Sequence, residues 1–234
     1  MRCFQSVTAM MMIIAPAAAL SSGLSERLLA QLSKSTGVSA LPVQGGLPAL
    51  SGPVANGFGR GSRKLGIPTA NLPCSLFQEE LAELPCGVYV GWAGVRGGVH
   101  KCVCNVGFSP TFAGEENPEK IVEAHLMASF DSDFYGDTMR LLLLGFIRDE
   151  RKFSGIDELL STIKGDIETG RAELDIEPLA SLARAPFLLD GTDAADASFR
   201  LLSDSELTAA SAPIAASGSL DPPPPPGFTW GSTF

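Results

Sequence analysis

Four short apolar runs dominate the middle of the chain: CGVYVGWAGV at 86–95, HKCVCNVGF at 100–108, KIVEAHLMAS at 120–129 and TMRLLLLGFI at 138–147. Each carries β-branched or aromatic residues, and clusters of Gly, Pro, Asn and Asp separate them, which predicts strands. Strands that succeed one another with no helix between them predict an antiparallel barrel or sandwich, not a parallel sheet. One helical pattern follows. Ser154 opens a capping-box-like start with Asp157 and Glu158, and Ile156, Leu159, Leu160, Ile163 and Ile167 recur at helical spacing.

Both ends depart from this pattern. The first 25 residues hold Arg2, no acid, and an apolar run (VTAMMMIIAPAAAL) that Pro16 interrupts and that is too short to span a bilayer. A basic start, a short apolar centre and small residues at 15–19 match a cleavable targeting leader, against the alternative of a frayed terminus with no address. Residues 25–32 have helical spacing and would extend an amphipathic presequence. Residues 203–234 are rich in Ala and Ser and include a proline run at 222–226, which favours an extended, solvated tail. The division expected is a leader and linker at 1–46, a folded domain at 47–184 and a low-complexity tail at 185–234, with disordered extensions at both ends.

Composition narrows the function. Hydrophobic residues make up 45% of the 234, enough for a buried core, and the net charge is -9. So acidic a chain is a poor candidate for nucleic-acid or anionic-membrane binding, and a phosphorylated ligand would need local cations, backbone N–H groups or a metal ion. Neither a nucleic-acid partner nor stable membrane insertion is expected, and a monomer is the default. Cys102 and Cys104 lie in an apolar run with no second Cys/His pair at zinc-like spacing, so they read as small strand residues before they read as metal ligands.

The candidate chemistry lies in four places. In GPVANGFGRGSRKLGIPTAN at 52–71, Gly57, Gly59 and Gly61 alternate and Arg60, Arg63 and Lys64 add charge, which suits close approach to phosphate oxygens and equally suits a surface turn. It is neither a P-loop nor a dinucleotide-binding fingerprint. Thr69 and Asn71 would share a face if extended, offering two hard oxygen donors for Mg²⁺, although turn chemistry explains the tetrapeptide alone. In the strand at 121–126, Val122, Ala124 and Leu126 take one face, Glu123 and His125 the other. A carboxylate in so apolar a strand can accept a proton from a hydroxyl nucleophile, or can pair with a surface cation. Last, Tyr135 in DFYG and the charged, aromatic segment 145–153 can hold a planar ring system, or pack as a loop against the helix.

Taken in order and spacing, GFGRGSRKLGIPTAN, GVYVGWA, NVGFSPTF, VEAHLM, DFYG and FIRDERKF resemble the riboflavin kinase (flavokinase) family over residues 52–167. The resemblance implies a six-stranded antiparallel Greek-key barrel with a C-terminal helix, and transfer of the ATP γ-phosphoryl group to the riboflavin 5′-hydroxyl, giving FMN. It places Gly57 and Arg63 in the phosphate loop, and matches Thr69 and Asn71 to a Mg²⁺-binding pair, with Thr69 also touching nucleotide. Glu123 matches the catalytic base, Leu126 and Tyr135 nucleotide contacts, and Arg148, Arg151 and Phe153 flavin contacts. The alternative is a non-catalytic flavin- or nucleotide-binding barrel.

The chain departs from the family pattern at Arg63 (commonly Lys), Ser109 (commonly Asn), Ala128 (often His) and Asp149 (often Pro in eukaryotic members). None of these removes a proposed catalytic group. No H-x-G-H nucleotidyl-transfer signature precedes Gly52, so formation of FMN without FAD is expected. ATP use argues against secretion, which favours an organelle (mitochondrion or plastid) over the cytoplasm as the address.

Overall fold

A computed structural model describes residues 24–41, 46–56, 65–73, 77, 81–108, 120–189 and 198–203. Six strands form the body: β1 (Leu47–Pro53), β2 (Ala70–Leu72), β3 (Gly87–Val95), β4 (Gly98–Phe108), β5 (Lys120–Leu126) and β6 (Thr138–Asp149). All pairings are antiparallel, in the order β2-β5-β4-β3-β6-β1. An isolated bridge between Ala55 and Asn71 brings the continuation of β1 back to β2, joining the two ends of the order. The four apolar runs fall on β3 to β6, as their composition predicts.

The long helix α2 (Ile156–Glu173) follows β6. Its N-cap is Gly155 rather than Ser154, and no side chain caps it. Instead Glu158 turns back and accepts from both the Ser154 N–H and its hydroxyl, each at 2.8 Å. The expected capping residue is therefore held by the helix instead of holding it.

The sheet is buried on both faces. Leu141 and Leu143 point into the barrel with Leu50, Leu72, Tyr89, Cys104 and Val122, whereas Leu142 and Leu144 join Val88, Val90, Val103, Ile167 and Leu174 under α2. Strand alternation lets a run of four leucines serve two cores at once. Gly170 brings α2 close to the sheet, since a Cβ there would press on Val90, Val103 and Met127. Cys102 and Cys104 are fully buried in the interior, where desolvation pushes the Cys102 thiol to about 12 and the Cys104 thiol well above its usual range. They are packing residues.

The ordered structure continues past both ends of the 47–184 window. Helix α1 (Leu24–Leu32) buries Leu28 and Leu32 in the core beneath α2, so this amphipathic segment packs on the domain. Ser35 then donates to Glu173, and Ser39 exchanges backbone hydrogen bonds with Phe146. Beyond α2, the indole N–H of Trp92 donates to the Leu179 carbonyl, and the short α3 (Pro186–Leu189) buries Phe187 and Leu188. Strand β7 (Ser198–Leu202) then pairs with the free edge of β1, where the sequence led us to expect tail. An unpaired strand edge is a strong template, and it selects this partner where local composition gives no strand signal. Residues 1–23 of the expected leader, the proline run and Ser109 lie outside the described residues.

Candidate functional site

Cross-strand register places five residues in one row on the α2 side of the sheet. Asn71 faces Glu123, Glu123 faces Asn105, Asn105 faces Val88, and Val88 faces Arg148. Directly paired residues share a face, so the row crosses from β2 to β6, roughly 19 Å at about 4.8 Å per strand step. Two of the sequence-predicted groups, separated by 52 positions, thus meet as immediate neighbours: Asn71 and Glu123. Val122, Ala124 and Leu126 are buried in the interior, which is the alternation read from the sequence.

Asn71 is buried, and its amide oxygen has no hydrogen-bond partner. A desolvated acceptor left without a donor costs free energy, and in a folded protein such an atom commonly awaits an ion or ligand. Thr69 lies two residues earlier and is half-buried. The approach to it is fixed by His125, whose Nδ1 lies 2.8 Å from the Pro68 carbonyl. Because a carbonyl only accepts, Nδ1 donates. Burial holds the His125 pKa below its ordinary value, against the opposing pull of that bond. His125 thus ties β5 to the backbone segment that leads into β2.

At the other end of the row the groups satisfy one another. The Arg148 guanidinium makes a bidentate pair with the buried Asp166 of α2, with contacts of 3.0, 3.1 and 2.7 Å. Phe153 lies 5.7 Å from the Arg148 guanidinium and 5.1 Å from that of Arg151, and Arg151 donates to Thr162 at 2.6 Å. Arg148, Arg151 and Phe153 are therefore one cluster. Between the two ends, Asn105 donates to Glu150 at 3.2 Å, and the Glu150 carboxylate lies where a side chain at Gly107 would go.

Two sequence-predicted residues sit apart from the row. The Leu126 side chain points into the barrel, so any contact it makes with a ligand on the α2 side comes from its backbone. Tyr135 is exposed on the turn between β5 and β6. That turn is bonded to the chain leaving β1: Val54 donates to the Asp137 carbonyl at 2.9 Å and accepts from the Gly136 N–H at 2.8 Å. Tyr135 is thereby placed beside the point where the chain enters the glycine-rich segment. Gly57 and Arg63 fall outside the described residues.

Among the described residues no three His, Cys, Asp or Glu side chains gather as a metal cluster. Among the described residues Thr69, Asn71 and Glu123 offer oxygen donors, which suits Mg²⁺, an ion that keeps waters and substrate phosphates as most of its ligands. Sequence reasoning passed over Asn105 and Asp166. Neither has a local signal, since register and helix docking give them their places.

The family model for riboflavin kinase (flavokinase) matches residues 45–174. The chain is 44% identical over 140 residues to a bifunctional riboflavin kinase/FMN phosphatase of Arabidopsis thaliana, a match that covers 59% of this chain and 36% of that protein. It is 41% identical over 126 residues to the riboflavin kinase of Homo sapiens, covering 53% of this chain and 79% of that one. The crystal structure of riboflavin kinase from Trypanosoma brucei superposes with a TM-score of 0.53 at 24% identity, over 68% of this chain and 99% of that one. That likeness establishes the shared fold: antiparallel strands in a half-barrel with a C-terminal helix.

Proposed function

Since the chain belongs to the riboflavin kinase family, we propose that it transfers the γ-phosphoryl group of ATP to the ribityl 5′-hydroxyl of riboflavin, giving FMN and ADP. The observation that carries this reading is the Asn71–Glu123 pair: a buried amide oxygen in want of a ligand, directly across from a carboxylate on the same face.

In phosphoryl transfer the protein mainly positions the reactants and offsets charge. Glu123 orients the 5′-hydroxyl and takes its proton as the new P–O bond forms and the bond to the β-phosphate oxygen breaks. Asn71 and Thr69 would hold Mg²⁺ through their side-chain oxygens, and the ion, when bound, offsets the charge of the β- and γ-phosphates. Gly57 and Arg63 would cradle those phosphates, with Leu126 (through its backbone) and Tyr135 against the rest of the nucleotide. The cluster of Arg148, Arg151 and Phe153 offers a planar, cationic surface for the flavin. Such a division suits an elongated pair of substrates that meet over β5.

The deciding experiment is chromatographic detection of FMN from riboflavin and MgATP with the purified chain. FMN should form, and should vanish when Mg²⁺ is chelated. Riboflavin binding with no FMN would instead leave a flavin-binding barrel without turnover. Product analysis should also find neither FAD nor hydrolysis of FMN. We further propose import into an organelle, supported by the acid-free start of the chain up to Glu26. Mass spectrometry of the native N-terminus tests it, and a processed end ahead of α1 is expected because Leu28 and Leu32 belong to the core.

A further inference from the structure

The hairpin joining β3 to β4 turns on Arg96 and Gly97, and both have positive φ, 51° and 75°. Two-residue hairpin turns favour such values because they match the twist of the strands, and Gly or Asn normally supplies them. For arginine the left-handed region is unfavourable. The side chain, however, is fully engaged. Its Nε donates to Asp137 at 2.5 Å, Nη1 to the Ser132 hydroxyl at 3.0 Å, and Nη2 to the Asp133 carbonyl at 2.9 Å. The guanidinium also lies 5.7 Å from the centre of the Phe134 ring.

Every one of these partners belongs to residues 132–137, the turn that carries Tyr135. The same turn is bonded through its main chain to Val54, three residues before Gly57. One side is thus held by the strand that feeds the glycine-rich segment, the other by Arg96. Arg96 and Asp137 have side chains 42% and 40% exposed, so their ion pair is of the solvent-screened kind that adds little to stability. The ion pair with Asp137 by itself gives little reason of stability to place arginine at this unfavourable backbone position. What the fork does achieve is order, since it fixes three separate groups of one turn at once.

We propose that Arg96 is a positioning residue for the nucleotide half of the site: its guanidinium locks residues 132–137 and so presets the Tyr135 ring and the entry to the glycine-rich segment before ATP arrives. The proposal rests on the nucleotide role given to Tyr135 above. The test compares Arg96→Gly, which suits the turn and removes the fork, with Arg96→Lys, which keeps the charge alone, in the full chain. Arg96→Gly should unfold at the same or higher urea concentration than wild type. Its KM for ATP should rise about fivefold, close to 1 kcal/mol, with kcat and the KM for riboflavin unchanged. Arg96→Lys should fall between the two. Amide exchange over 131–137 should quicken in Arg96→Gly.

An unchanged KM for ATP in an active enzyme would overturn the proposal and leave the kinase reading intact. So would a parallel rise in both KM values. If the wild-type chain makes no FMN, the kinase reading fails by itself. The exchange measurement still decides whether Arg96 orders the turn, and unaltered exchange refutes it whatever the activity.

Discussion

The two ends of the polar row are built on opposite principles. At the Asn71 end a buried oxygen has no partner, beside the Glu123 carboxylate. At the Arg148 end the guanidinium is given over to Asp166 and stacked on Phe153, and Arg151 is held by Thr162. A buried acceptor left open costs stability until a ligand completes it, whereas a satisfied network is stiff beforehand. In the proposed enzyme, substrate completes the nucleotide end and the protein itself completes the flavin end. Substitutions at the two ends should therefore trade stability against activity in different ways.

The largest effect belongs to Glu123. Glu123→Gln keeps the shape and removes the basicity, so kcat should fall by about 10²- to 10⁴-fold, while riboflavin binding, followed by its fluorescence, stays intact. Turnover at the wild-type rate would take Glu123 out of that role and leave the comparison with one working end. Next comes Asn71→Leu. It should lower FMN formation by about 10²-fold, yet it deletes a desolvated oxygen without a partner. Urea unfolding should show a variant as stable as wild type, or more so by about 1 kcal/mol. Loss of stability instead would mean that the Asn71 oxygen is not open in solution.

Asp166→Asn probes the other end, with the opposite expectation. Asp166 is buried and Arg148 keeps a side chain 23% exposed. Loss of the carboxylate should then cost about 2 kcal/mol, below the usual figure for a fully buried pair because water still reaches the arginine. The KM for riboflavin should rise and that for ATP should not. Together with Asn71→Leu this makes a crossed pair: one variant is stable and inactive, the other unstable and weakened toward a single substrate.

How much of this could be read from the chain depends on what kind of signal each part leaves. β3 to β6 announce themselves through β-branched and aromatic runs, and alternation along β5 already separates Glu123 from Val122 and Ala124. β1 and β2 do not. LPALSGP carries two prolines and ANL is three residues long, so both are strands only by virtue of their neighbours. β7 was hidden for the same reason, since it is ordered by an edge that exists only after the barrel forms; the helix α1 was legible from its spacing at 25–32, but its docking on the domain through Leu28 and Leu32 was not. The site follows the same rule. Thr69, Asn71 and Glu123 were visible from residue type and parity. Asn105 acquires its place from register, and Asp166 from helix docking. Arg96 sits in VRGG, which signals a turn without saying what its side chain will hold.

The smallest effect concerns a fixed link beside Thr69, His125 to Pro68. Burial lowers the His125 pKa, so the folded chain resists protonation more than the unfolded chain does. Stability from this source is complete above the ordinary histidine range, near pH 6.5, and is lost as pH falls from there toward the depressed folded value, because the unfolded state takes the proton first. The bond itself should survive acid, since Nδ1 donates whether the ring is neutral or charged. Urea midpoints between pH 8 and pH 5 should therefore decline more steeply for wild type than for His125→Gln, which has nothing to titrate. Over the same range the wild-type KM for ATP should not change abruptly at the histidine titration, because Pro68 stays tethered. Were the two slopes equal, burial at His125 would not be felt in solution.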